Sequence, residues 1–125
     1  MTDNHNFLAL DWVKSEIQET LKQAQQALEA YIATPNDTAK LRFCLAYLHQ
    51  VFGTLQMVEF YGAAMLAEEM ERLCLSLVNH KVSDRAKAQH VLIEAMLQLP
   101  AYLERLQVAK KDTPFVLLPI INELR

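Results

Sequence analysis

The stretch that decides the fold is Thr38-Ala39-Lys40-Leu41-Arg42-Phe43-Cys44-Leu45-Ala46-Tyr47-Leu48-His49-Gln50-Val51-Phe52-Gly53-Thr54-Leu55-Gln56-Met57-Val58. Leu41, Leu45, Leu48, Phe52 and Leu55 recur at alternating steps of four and three, and Cys44 and Val51 widen the stripe. That spacing puts the apolar side chains on one face of an α-helix and leaves the rest for solvent. A helix over 38–58 follows. Thr34-Pro35-Asn36-Asp37 breaks the chain before it, and Asp37 or Thr38 can cap its first turn.

The same period continues outward in both directions. Upstream, Leu10, Val13, Ile17, Leu21, Ala24, Leu28 and Tyr31 give a helix over 7–33. Downstream, Leu66, Met70, Leu73 and Leu77 give a third helix over 62–79. Ser83-Asp84 caps a fourth, built on Ala88, Leu92, Ala95, Leu99, Tyr102 and Leu106, with Pro100 inside it as a kink point. Thr113-Pro114 opens a short fifth helix that runs through Leu124 across Pro119. Alternating Val/Ile/Thr runs and Asn-Gly or Asp-Gly hairpin turns are absent from the sequence. The expected fold is all-α: an up-and-down antiparallel four-helix bundle with a short fifth C-terminal helix.

Within the deciding stretch, His49 and Gly53 stand out. On a helical wheel the apolar arc centres between Leu48 and Leu55, and His49 falls roughly 100° away, at its edge. Arg42, Ala46, Gly53 and Gln56 share its strip, so the imidazole is expected to project into water between two very small residues. The chain has only two glycines, Gly53 and Gly62. A glycine inside a helix costs about 1 kcal/mol relative to alanine, so its presence here points to a need for open space. Phe43 and Met57 lie on the outward side, and exposed apolar groups beside a polar tip read as a docking surface. Packing against a fifth helix or a loop is the other reading of these two residues.

Composition narrows the function classes. The chain has 125 residues, 52% of them apolar, which suits one compact domain spanning 1–125. Net charge is −3 and no Lys/Arg cluster exceeds Lys110-Lys111, so a nucleic-acid role is not expected. The longest apolar run, Phe115 to Ile121, contains a proline and is far below the ~20 residues that cross a bilayer. Met1-Thr2-Asp3-Asn4-His5 lacks the features of a secretion signal. Cys44 and Cys74 carry no metal-ligand spacing and read as two small buried thiols, which fits the cytoplasm. Glu-x-x-His pairs, HExxH and CxxCH are absent, so no metal or haem site is expected, and His5, His80 and His90 read as ordinary surface residues. The ending Asn122-Glu123-Leu124-Arg125 suggests the N-terminal piece of a larger protein.

A histidine on the second helix of a helical bundle, four residues before a glycine, resembles the histidine phosphotransfer (HPt) family. The run Leu48-His49-Gln50-Val51-Phe52-Gly53-Thr54-Leu55-Gln56-Met57-Val58-Glu59, with Tyr102-Leu103-Glu104-Arg105-Leu106-Gln107 and Val116-Leu117-Leu118-Pro119, resembles the first domain of the large chemosensory hybrid kinases of type IV pili, ChpA and PilL. Those control twitching motility. The related protein FimL resembles that region but lacks the phosphorylatable histidine, and by that criterion His49 groups this chain with the kinases.

The resemblance implies that His49 is the phosphoacceptor and that Glu71 orients it, with Glu68, about one turn earlier, in reserve. It implies docking through Arg42, Phe43, Ala46, Phe52, Gly53, Gln56 and Met57. The implied partners are a histidine kinase catalytic domain and a response-regulator receiver domain, with ATP and Mg²⁺ bound by those partners and no cofactor of its own. The isolated domain is expected to be monomeric and without membrane insertion. One departure is visible: Phe52 stands where the family carries a lysine, so the cation that offsets phosphate charge is missing, and Arg42 is the nearest substitute on the strip. Two functions follow. One is a phosphorelay carrier on His49; the other is a non-catalytic scaffold of the same shape that docks a partner without being phosphorylated.

Overall fold

The computed structural model describes residues 2–109 with Glu123 and Leu124, and the side chains of 13–105 and of those two. Four helices follow one another: α1 (Thr2–Ala33), α2 (Thr38–Met57), α3 (Tyr61–Val78) and α4 (Arg85–Ala109). No strand occurs among the described residues. α1 packs on α2, α2 on α3, α3 on α4, and α4 closes the ring against α1. Short connections between such helices make the up-and-down bundle that the periodicity implied. The expected fifth helix lies outside the described residues except for Glu123 and Leu124, and Leu124 joins the core.

The apolar stripes meet in one core. Ile17, Leu21, Ala24 and Leu28 of α1 and Leu41, Cys44, Leu48, Val51 and Leu55 of α2 are buried. Leu66, Met70, Cys74 and Leu77 of α3 and Leu92, Ala95, Leu99 and Leu103 of α4 complete it. Each fully buried leucine removes enough apolar surface from water to stabilise the fold by about 1.5–3 kcal/mol, so these stripes are its main support. Leu45, Phe52 and Leu73 sit at the stripe edges and are half-buried. Leu10 and Leu106 carry side chains outside the described set. Polar ties also cross the bundle. Lys14 of α1 meets Glu104 of α4 at 2.6 Å. Arg85 donates to the carbonyl of Leu77 at 3.1 Å and to the hydroxyl of Tyr31.

The helix ends show what the sequence hid. α2 and α3 both close in a Schellman turn. Glu59 N–H bonds the Gln56 carbonyl and Phe60 N–H the Leu55 carbonyl. His80 N–H bonds Leu77 and Lys81 N–H bonds Ser76. The pivot residues Glu59 and His80 take φ values of 66° and 56°, a left-handed conformation usually given to glycine. Phe60, just past the first pivot, is buried and anchors the turn. At the helix starts, Asp84 caps α4 by accepting the Lys87 N–H at 3.1 Å. Asp37 holds the N-cap position of α2 without a side-chain bond. α4 continues through Pro100. No described helix is long and apolar enough to cross a membrane.

Candidate functional site

His49 lies in the fourth turn of α2, between the core residues Leu48 and Val51. A one-residue step from Leu48 rotates the side chain out of the core, as the wheel implies. The ring is 69% exposed. Its Nδ1 lies 2.8 Å from Oε2 of Glu71 on the neighbouring helix α3. An ionised carboxylate can only accept, so Nδ1 carries the proton and donates to Glu71. In the neutral ring this contact selects the tautomer whose second nitrogen, Nε2, keeps its lone pair. The Glu71 side chain is 26% exposed, partly sheltered between the helices, so the pair is held at its base and open at its tip.

The rim around the imidazole is uneven. Phe52 packs half-buried against the core with its ring tilted 41° to the imidazole and centred 6.4 Å from it. On the other side lies Gly53, where an added Cβ would meet no atom within 4 Å. Beyond it Met57 is 78% exposed and Phe43 is 54% exposed. Arg42, Ala46 and Gln56 are exposed on the same strip. Every residue expected on the docking face is therefore at the surface except Phe52, which is half inside. The fifth helix against which Phe43 and Met57 could alternatively pack lies outside the described residues.

Glu68, the reserve partner, takes a different role. Its carboxylate pairs with Arg72 at 3.8 Å. Glu68 stands about a turn from Glu71 on α3, and it is Glu71 whose carboxylate reaches His49. Glu69, the next residue along, faces inward. It is buried and accepts from Arg72 at 3.0 Å. Burial of a charge is tolerable when a guanidinium and hydrogen bonds hold it.

Sequence reasoning missed the contribution of α1. Glu16, Ile17 and Thr20 line a shallow groove with His49, Gln50, Gly53, Thr54 and Met57 of α2. Ile17 was legible as a core residue. Glu16 and Thr20 lie a turn apart beside that stripe, and this adjacency is the signal that could have marked them. Among the other histidines, His90 makes only a 3.9 Å contact with Glu94, and His80 is a turn pivot. No group of three or more His, Cys, Asp or Glu among the described residues could hold a metal ion.

The family match decides the grouping. The FimL C-terminal domain family matches residues 8–121. The chain belongs to the FimL C-terminal domain family. It is 33% identical over 117 residues to "Scaffold protein FimL" of Pseudomonas aeruginosa, covering 94% of this chain and 21% of the relative. The chain thus spans about a fifth of the length of the curated relative it matches. No solved structure matches. This corrects the expectation drawn from His49. The histidine does not separate the chain from FimL, because the similarity to a FimL protein extends over nearly its whole length.

Proposed function

We propose that this chain is a docking domain of a FimL-type scaffold in chemosensory signalling linked to type IV pili, and that its partner seats on the outward rim of α2. The observation that carries this reading is the open face at Gly53, with Met57 and Phe43 held in solvent on the same side of the helix. Exposed apolar area of this kind gains about 25 cal/mol per Å² when a partner covers it. Membership of a family named for FimL, and a relative named as a scaffold, support the same reading. The partner class is a receiver domain or a histidine kinase catalytic domain, as the phosphotransfer resemblance implies.

A phosphorelay role for His49 is the second reading, favoured by the 2.8 Å contact with Glu71. In that chemistry the Nε2 lone pair attacks the γ-phosphorus of ATP held with Mg²⁺ by a kinase partner. The Nε2–P bond forms and the P–O bond to ADP breaks. The Nδ1 proton stays on the ring, and Glu71 stabilises the cationic phosphohistidine through that hydrogen bond. A receiver aspartate then takes the phosphoryl group. Positioning and charge dominate phosphoryl transfer, so a carrier needs no more machinery than this.

Two measurements test these readings. In a titration of the isotopically labelled chain with receiver domains, amide shifts should cluster on α2 around Gly53. Gly53→Lys or Met57→Asp should weaken binding by about tenfold or more, since a few central contacts dominate such interfaces. Binding that ignores both changes overturns the α2 surface. Incubation with a kinase core and labelled ATP then separates scaffold from carrier. Acid-labile label that disappears in His49→Gln establishes the relay; binding without label leaves the scaffold.

A further inference from the structure

The outward face of α3 carries Tyr61, Met65, Glu68, Arg72 and Leu75, at alternating steps of four and three residues. That spacing is the seam of a coiled coil, a strip that can meet a second helix along its length. All five residues are exposed. Leu66, Met70 and Leu77, on the opposite face of the same helix, already serve the core. A helix that satisfies its own bundle with one face and carries a second regular stripe on the other is built for two neighbours.

The charges on this stripe complement themselves. When a second α3 is laid antiparallel, with the two-fold axis passing beside residue 70, Glu68 faces the second copy's Arg72 and Arg72 faces its Glu68. Met65 then faces the second copy's Leu75 on one side of the axis, and Leu75 faces its Met65 on the other. Within one chain the Glu68–Arg72 pair is loose, at 3.8 Å, while Arg72 is held more closely by Glu69 at 3.0 Å. Glu68 is therefore free to accept from a second guanidinium, and Arg72 is held in place by its buried partner to supply one.

We propose that the chain pairs with a second copy of itself through α3, antiparallel, with two reciprocal Glu68–Arg72 ion pairs flanked by two Met65–Leu75 contacts. A two-fold interface of this kind uses the same patch on both subunits, which is what a self-complementary stripe provides. This departs from the monomer expected from sequence. It is independent of the docking face on α2 and of any phosphorylation of His49.

Sedimentation velocity of the whole chain, over a series from about 10 μM to 1 mM, should show a reversible monomer–dimer equilibrium of the modest strength a five-residue seam allows. Glu68→Arg sets like charges opposite each other, and Leu75→Asp removes an apolar end. Each should weaken association by about tenfold or more. Both positions are exposed, so circular dichroism should report an unchanged helix content. Register is read by cross-linking. Mixed Met65→Cys and Leu75→Cys proteins should form the 65–75 disulfide under mild oxidation. Met65→Cys alone should not, because the two copies of residue 65 would lie about 15 Å apart along the axis. A monomer throughout the series overturns the proposal. So does a dimer indifferent to both surface substitutions, or cross-linking without preference for the 65–75 pair.

Discussion

Gly53 sits in the interior of α2 with helical neighbours on both sides, where alanine would hold the helix better. An added methyl would meet no atom within 4 Å, so Gly53→Ala should stabilise the fold by about 0.5–1 kcal/mol, read as a higher urea midpoint at unchanged slope. A loss of stability would mean that the position is tighter than it stands here. At His49 the corresponding test is the tautomer. With Nδ1 donating to Glu71 at 2.8 Å, nitrogen shifts of the neutral ring should report the Nδ1–H form. In Glu71→Gln that preference should weaken, with a stability change of about 1 kcal/mol or less, because the imidazole partner is largely exposed. A ring that keeps the same tautomer in the variant would remove Glu71 from its orienting role. Both residues could be placed from sequence, because a helical wheel needs only the spacing. Their partners could not. Choosing Glu71 over Glu68 rested on the family resemblance, and the crossing of α2 and α3 is what brings one carboxylate to the ring and leaves the other with Arg72.

The helices themselves were readable from the three-and-four spacing of leucines, and most of the stripe residues whose side chains are described are buried, with Leu45, Phe52 and Leu73 at the edges. Their ends were less so. Sequence rules look for glycine after a helix, and both Schellman turns use other residues instead. Glu59 and His80 hold left-handed backbone without glycine's freedom, at a cost of about 1–2 kcal/mol each. Glu59→Gly should therefore stabilise the protein by about 0.5–1 kcal/mol once glycine's extra freedom in the unfolded chain is subtracted. Thermal unfolding of the variant checks this, and a lower melting temperature would show that the Glu59 side chain matters more than its backbone strain. The place of Glu69 was equally hidden in the sequence. Its neighbours Glu68 and Arg72 are exposed, and only the packed helix reveals that the residue between them has turned inward.

At the scale of the molecule, the bundle closes over two cysteines that were read as separate buried thiols. Cys44 and Cys74 are both free and fully buried. Hydrogen bonding to Cys74, burial, and the proximity of that second thiol all push the Cys44 thiol above its ordinary value of 9.0. A thiol kept protonated in the fold but free to ionise when unfolded supports folding fully below that value. The support is lost progressively as pH rises past it. Between pH 9 and 10 this linkage should remove about 1 kcal/mol, and Cys44→Ala should flatten that part of the urea-midpoint profile. An unchanged alkaline slope in the variant would exclude the thiol as its source. The two sulfurs should also stay unreactive toward Ellman's reagent until the chain unfolds. That seclusion, together with the vacant space at position 53, makes the chain easy to instrument. A cysteine introduced there would be the accessible thiol, one turn from the imidazole. A bulky fluorophore mounted on it should block the partner that the open face admits, while leaving the interior untouched.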